Sequence, residues 1–323
     1  MPEISPATQA AIEHLRPLMP EFTAERGLSD GGKVCNYLPV ALGLRPLSLT
    51  YLPAELPGGG RLGEAIDRHF ADNYTPQASG GGGVFARLRG RRGGDPALQE
   101  REAELAAKRK VLNEAYDAIV ATSPAYLAHL AWLERFGLNQ VQLKRRPTLR
   151  EMFIYDDRSI RQKLLDLENV GAAARNRQTT GKQQDPDQAV MEYVYADEFD
   201  REYLHGLGRL LGYPECCVER YTADRLRGQN VEQRAWEQVR EMHEQGKSVD
   251  VHAYFVKDFF PCVPDCPQAV ALGGRYATAY AALGEEIHEV YTGALYQAFE
   301  LVQNYPRLIL QHRQRLSQGP QPR

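Results

Sequence analysis

The chain has 323 residues, of which 43% are hydrophobic and 25% charged, and its formal net charge is -3. This composition is typical of a globular protein, and the length suffices for one large domain or two small ones. The small negative charge argues against a protein that binds nucleic acid or a membrane polyanion over its whole surface. No apolar run has the length of a membrane span, and the first residues lack the features of a secretory signal, so we expect a cytoplasmic protein without membrane contact.

The N-terminal region, residues 1–170, is predicted to be mostly helical. Within residues 34–52, apolar and polar side chains alternate from 47 to 51, which predicts a short β element. Residues 57–95 are rich in glycine and arginine, and no Lys-Ser or Lys-Thr follows the glycines as it would in a P-loop. We therefore predict a flexible loop there, in preference to a phosphate-binding or RNA-binding segment.

Helix start and stop signals recur along the rest of this region. Asp-Pro at 95–96 and Ser-Pro at 123–124 predict two helix starts, and Gly137 predicts the end of the second helix. A further helix is expected over about residues 149–170. The polar residues 171–188 lack an apolar period and predict a linker or long loop.

The C-terminal region, residues 189–316, is predicted to be helical and to carry the functional site. Its expected helices span about 189–211 (bent near 197), 214–226, 231–245, 266–283 and 285–316, the last kinked at Pro306. Gly212 is the expected stop of the first of them. The fold class is thus mainly α, an irregular helical protein with a possible short β element, and we expect the two regions to form one compact unit.

Four of the five cysteines lie in two short motifs that contain proline. Cys216 and Cys217 follow Pro214, and Cys262 and Cys266 lie in the sequence Pro-Cys-Val-Pro-Asp-Cys-Pro. Proline is favoured in the first turn of a helix, so each motif predicts cysteines at a helix N-terminus. The positive end of the helix dipole lowers the pKa of such thiols and favours the thiolates that metals bind. We therefore predict that the four cysteines form one site.

The occupant expected at this site is an iron–sulfur cluster. Neighbouring side chains leave a helix about 100° apart, which suits a cluster of several irons better than the C-x2-C or C-x4-C knuckle of zinc. The spacing leaves three alternatives open. The four cysteines can hold a structural zinc, Cys262 and Cys266 can form a metal-free dithiol pair, or all four thiols can be buried and inert.

The predicted function is redox or sulfur-handling chemistry on a small molecule, with a small-molecule substrate or a redox partner protein. Cys216 or Cys217 is the candidate working thiol if three cysteines suffice as ligands. Glu219 and Arg220 lie one helical turn further on, which makes them candidates for a proton carrier and an anion contact, although surface charges are the ordinary alternative. Cys35 stands alone and is interpreted as a small buried hydrophobe, with a reactive thiol or fifth ligand as the alternative.

The two cysteine motifs resemble the signatures of an uncharacterised family, the domain-of-unknown-function family numbered four hundred and eighty-three. The resemblance covers roughly residues 200–275, and residues 42–46 (Leu-Gly-Leu-Arg-Pro) are more weakly similar to a further stretch of that family. Family members often carry a histidine just before the Pro-Cys pair. Here Phe260 stands at that place and His252 lies further back, so the resemblance implies a shared cysteine site without a clear histidine ligand and implies no particular substrate.

Overall fold

The fold consists mainly of α-helices, as the sequence predicts, and a computed structural model describes it over residues 4–75, 96–144, 148–179, 196–257 and 259–317. The helices of the first half are α1 (Pro6–Leu15), α2 (Met19–Ala24), α3 (Asp30–Gly32), α4 (Leu38–Ala41), α5 (Gly59–Asn73), α6 (Pro96–Ile119) and α7 (Pro124–Arg135). Those of the second half are α8 (Arg158–Thr179), α9 (Arg201–Leu210), α10 (Glu215–Leu226), α11 (Val231–Glu244), α12 (Pro267–Leu283), α13 (Glu285–Gln303) and α14 (Tyr305–Ser317). Short 3₁₀ turns occupy Arg16–Leu18, Ala196–Phe199 and Val251–Tyr254, and a π-helix occupies Lys33–Tyr37. No helix in these ranges combines the length and the low polarity that crossing a membrane requires.

A small antiparallel sheet consists of β1 (Leu47–Leu52), β2 (Asn139–Leu143) and β3 (Arg150–Tyr155), in the order β1–β3–β2. β1 confirms the β element predicted within residues 34–52. The prediction of a helix over 149–170 is wrong for its first residues, which form β3, and the helix begins only at Arg158. β3 pairs on both edges and is buried along most of its length, so its apolar residues run without alternation and resemble a buried helix in the sequence.

The glycine-rich segment contains a helix, α5, that the sequence does not predict. The loop expected over 57–95 is wrong for residues 59–73, because α5 has an apolar face that includes the fully buried Ile66 and the partly buried Leu62. The burial of this face stabilises a helix in spite of its glycines. Residues 76–95, with most of the arginines, lie outside the described part of the chain.

α8 extends into the segment expected to be a linker. It continues to Thr179, so the expected linker over 171–188 begins inside a helix. The buried Arg175 explains this order, because its guanidinium forms ion pairs with Glu168 and with Asp197 of the following 3₁₀ turn. Residues 180–195 lie outside the described part, and from Ala196 the expected bend near Asp197 corresponds to this turn followed by α9.

Most of the expected helix boundaries are confirmed. Ser123 caps α7 by accepting a hydrogen bond from the Tyr126 N–H, and Gly137 follows this helix with a φ of 67°. Gly212 follows α9 with a φ of 72°, and a Cβ there would lie 3.0 Å from Cδ of Pro46. Glycine at 212 therefore supplies both the left-handed turn and the close approach to the segment before β1. The last expected helix divides into α13 and α14 next to Pro306.

One large hydrophobic core contains side chains from both ends of the chain, among them Ile12, Phe22, Tyr280 and Tyr291. The Tyr280 hydroxyl donates a 2.6 Å hydrogen bond to the Val34 carbonyl, which ties α12 to the N-terminal region. α12 also packs tightly against the Val251–Tyr254 turn, where a Cβ on Gly273 would lie 2.0 Å from the carbonyl oxygen of His252. A smaller core joins the sheet to α8 and to the end of α9. The helix that carries Cys266 is therefore held on several sides.

Candidate metal centre

Three of the four clustered cysteines lie at the N-terminal ends of two helices, as predicted, and Cys262 lies shortly before the second helix. Cys216 and Cys217 are the second and third residues of α10, and Pro214 precedes that helix as its N-cap. Cys266 is the N-cap of α12, and Cys262 lies in the loop before it. The Cys262 N–H donates a 3.4 Å hydrogen bond to the Cys217 sulfur, which ties the loop to α10.

The four sulfur atoms meet at one point. The Sγ of Cys216 lies 3.9 Å from that of Cys217 and 3.7 Å from that of Cys266, and the Cys217 and Cys266 sulfurs are 3.7 Å apart. All four sulfur atoms, with that of Cys262, lie within 4.8 Å of one another. Two chain segments about 50 residues apart thus supply one set of four soft donors, which can hold a metal ion. The convergence expected from the sequence is confirmed.

Burial opposes the ionisation of two thiols of this site, those of Cys217 and Cys262. Burial raises the pKa of Cys217 well above its ordinary value, and burial with a hydrogen bond to Cys266 raises the pKa of Cys262 to about 11. Burial also disfavours the Cys266 thiolate, but hydrogen bonds from the Ala269 N–H and the neighbouring thiols outweigh it and lower the pKa of Cys266. A bound metal ion would supply the positive charge that lets the remaining thiols deprotonate.

A buried ion pair holds the Cys262 loop in place. The Nε of Arg234 lies 2.6 Å from Oδ2 of Asp224, and both side chains are almost fully buried. Arg234 also donates hydrogen bonds to the carbonyl oxygens of Pro261 (3.0 Å) and Cys262 (3.3 Å). Gln238 donates a further one to Cys262 at 3.2 Å. α10 and α11 therefore fix the backbone around the cysteine that has no helix of its own, the role that outer hydrogen bonds have in many metal sites.

The two charged candidates of the sequence analysis lie on α10 away from the sulfurs. The Nε–H of Arg220 donates a 3.3 Å hydrogen bond to Oδ2 of Asp224, so Arg220 adds to the ion pair that supports the loop. Glu219 is exposed. Neither side chain lines the cavity next to the cysteines. Their catalytic role stays a prediction, and the described contacts give Arg220 a positioning role.

A cavity of about 470 Å³ adjoins the cysteine site, and no sequence pattern predicts it. Cys217 lies in its wall, with Val218 and Tyr221 from the same helix. The remaining wall comes mainly from α9, the sheet, the segment around the π-helix and the residues around Lys257 and Phe259. The volume falls in the range of small-molecule sites. One residue thus belongs to the four-cysteine cluster and also lines the cavity beside it.

The polar part of the cavity wall is centred on Glu55. Its carboxylate accepts hydrogen bonds from Asn36 Nδ2 at 3.2 Å, Thr50 Oγ1 at 2.9 Å and Lys257 Nζ at 3.3 Å. Arg45 also lines the cavity, and its guanidinium lies 5.3 Å from the ring centre of Tyr213. These residues are far apart in the sequence and carry no motif, so only the fold reveals the arrangement.

Cys35 and His252 lie outside the group of four sulfurs. Cys35 is buried on the π-helix, as expected of a small hydrophobe, but it also lines the cavity, and burial raises the pKa of its thiol. The Nδ1–H of His252 donates to Asp250 over 2.8 Å. The structure therefore gives neither residue a place among the possible ligands of the cysteine cluster.

The fold and the site together define a mainly helical protein with a four-cysteine cluster that can hold a metal ion. Residues 140–282 match the family model described as "Protein of unknown function (DUF483)", which confirms the resemblance noted in the sequence. The matched segment runs from β2 to the end of α12 and contains all four clustered cysteines. A comparison with curated proteins gave no match, and a comparison with solved structures gave none.

Proposed function

We propose that the protein is a metalloprotein in which Cys216, Cys217, Cys262 and Cys266 bind one metal ion, and that it acts on a small molecule held in the adjacent cavity. The observation that carries this proposal is the position of Cys217. Its sulfur lies 3.7 Å from that of Cys266, and the residue also lines the cavity. A substrate in the cavity would therefore lie next to one residue of the metal site.

The sulfur separations favour a single tetrahedral ion. With zinc–sulfur bonds of about 2.3 Å, the ligands of such an ion lie about 3.8 Å from one another. The three separations among Cys216, Cys217 and Cys266, 3.7 to 3.9 Å, agree with this value, and the Cys262 sulfur lies within 4.8 Å of the others. The thiolates of an iron–sulfur cluster bind different irons and are spread more widely. We therefore propose zinc first and mononuclear iron second, ahead of the cluster that the sequence favours.

The reaction class proposed is sulfur-handling or redox chemistry at Cys217. A thiolate is the reactive form of cysteine, and the cavity gives this one a place for a substrate that the other three ligands lack. All five cysteines are free thiols, a state that a reducing compartment such as the cytoplasm would preserve.

A structural zinc site is the second candidate function. One observation favours it, because four convergent sulfurs complete a tetrahedral shell and leave no open position for substrate. In that case the ion would join α10, the Cys262 loop and α12, and the cavity would work without it.

Metal analysis and an absorption spectrum of the full chain, purified without oxygen, test these proposals. One zinc per chain and no colour support the single-ion site, and iron with a thiolate charge-transfer band supports its iron form. Iron with acid-labile sulfide supports the cluster instead. Metal-free protein that forms a reversible disulfide between Cys262 and Cys266 contradicts the proposal and supports a thiol oxidoreductase.

A matched pair of variants separates the active role from the structural one. Cys217→Ser should lower the metal content, whereas Cys35→Ser, in the same cavity but outside the cluster, should not. If chelation leaves the fold intact but abolishes ligand binding in the cavity, the ion serves the site. If chelation unfolds the protein, the structural role of the ion is supported.

A further inference from the structure

Arg45 is a buried cation that no acidic side chain balances in the described part of the chain. The residue is only 6% exposed, and its Nε has no hydrogen-bond partner there. A guanidinium stays protonated in proteins, so burial cannot remove its charge. The contact with the Tyr213 ring is a weak compensation for a desolvated charge. An anion from outside the described chain would supply the missing partner.

The acidic groups of the same cavity do not fill this role. Glu55 accepts hydrogen bonds from Asn36, Thr50 and Lys257, so its charge is already engaged. The other acidic residue of the described wall, Glu151, lies on β3. No ion pair described for this wall joins Arg45 to an acidic side chain, whereas the other cation there, Lys257, pairs with Glu55.

Most of the remaining wall is apolar or aromatic. Leucines from α9 and β1 and aromatic rings such as Phe153 and Phe259 face the same space as Arg45 and Cys217. A ligand of this site needs one anionic group and an apolar body, in a volume of about 470 Å³. One uncompensated guanidinium matches one negative charge, and its planar fork binds a carboxylate through two hydrogen bonds.

We propose that the cavity binds a small organic carboxylate, with Arg45 as its charge partner and its apolar body against the wall that contains Cys217. This inference rests on the proposed function and deepens it, because it names the substrate class of the same cavity. It also accounts for a charge that would otherwise be buried at a cost to the fold.

Calorimetric titration of the full-length, metal-loaded protein tests this inference with phenylacetate, its neutral isostere phenylacetamide and the dianion phenylphosphate. The wild type should bind phenylacetate at least about tenfold more tightly than the amide, because a charge-assisted hydrogen bond is lost with the amide. Arg45→Met should abolish that preference and Arg45→Lys should keep part of it. The control is Arg209→Met, since Arg209 is exposed, pairs with Glu215 and lies outside the cavity wall.

Several results would overturn the inference. The wild type could bind phenylacetate and phenylacetamide equally well, or bind neither of them. Arg209→Met could lose the preference for the acid as fully as Arg45→Met does, or phenylphosphate could bind more tightly than phenylacetate. Circular dichroism and metal content measured on the same samples keep the two proposals separate. If metal-loaded protein does not bind carboxylates, only the proposed carboxylate site is contradicted. If protein that holds no metal binds carboxylates, only the proposed metal function is contradicted.

Discussion

Two buried arginines in the regions around the cysteine cluster differ in what balances their charge. Arg234, 3% exposed, is paired with a fully buried Asp224 and donates to the backbone around Cys262. Arg45, 6% exposed, has no acidic partner among the described residues and lines a cavity. The charge in the region around Arg234 is therefore balanced within the fold, whereas we propose that a ligand balances the charge in the region around Arg45. A fold can keep a charge unpaired where function requires it.

Removal of the metal ion is expected to have the strongest effect, because the four cysteines join both regions. Zinc binding by four-ligand sites is worth on the order of 10 kcal/mol in small peptides, and much of it becomes folding free energy. We expect the chelated protein to unfold at a markedly lower denaturant concentration than the metal-loaded one, followed by circular dichroism. An unchanged midpoint would mean that the cluster contributes little to stability.

Arg234→Met should lower the free energy of unfolding by about 3–5 kcal/mol, because the buried Asp224 carboxylate then keeps only Arg220 as its partner. The Cys262 loop would also lose two hydrogen bonds to its carbonyl groups, so the metal content should fall. Urea unfolding and metal analysis measure the two effects. The double variant Arg234→Met/Asp224→Asn is the control, and a loss larger than that of the single variant would argue against the charge as the cause.

His129 is a further buried basic group, and unlike the arginines it can lose its charge. Burial lowers its pKa to about 3 from an ordinary 6.5, so the folded protein holds it neutral while the unfolded chain takes up a proton below pH 6.5. The free energy of unfolding should therefore be independent of this residue above pH 6.5 and fall by about 2 kcal/mol at pH 5. Unfolding curves of the wild type and of His129→Gln at pH 7 and 5 measure this contribution. An equal pH dependence in both would refute it.

Arg45→Met is expected to have the smallest effect on stability. With no ligand bound, the free energy of unfolding should stay the same or rise by about 1 kcal/mol, because the change removes a buried charge that has no acidic partner among the described residues. The same chemical change thus has a large effect at Arg234 and a small one at Arg45. Thermal and urea unfolding of the two variants side by side give this comparison. A loss of more than about 3 kcal/mol at Arg45 would assign it a structural role.

The sequence predicted the cysteine site because the relevant signals are local. Proline before a helix and cysteines in its first turn can be identified without knowing the fold, and Pro214 and Cys266 occupy the N-cap positions. The kind of metal centre could not be predicted from the sequence. It depends on the sulfur–sulfur separations, which follow from how α10 approaches α12 and not from the spacing of cysteines along the chain.

The cavity and the sheet show why other features were missed. Arg45 appeared in the sequence only within a short resemblance, and nothing in its neighbours indicates that it is buried without a partner. Its partners in the wall come from segments as distant as the π-helix and residue 260. The sequence predicts a helix at β3 because a central strand, buried on both faces, shows no alternation. Both features depend on tertiary pairing, which a local pattern does not record.

The position of Cys217, in the cluster and in the cavity wall, has a thermodynamic consequence. If the cluster holds a metal ion, a molecule that enters the cavity would change the surroundings of one ligand, so its binding energy would differ between the loaded and the metal-free protein. Linkage is reciprocal: if the ion tightens ligand binding by some factor, the ligand lowers the dissociation constant of the ion by the same factor. The cell's supply of the small molecule would then help to decide how much of the protein keeps its metal.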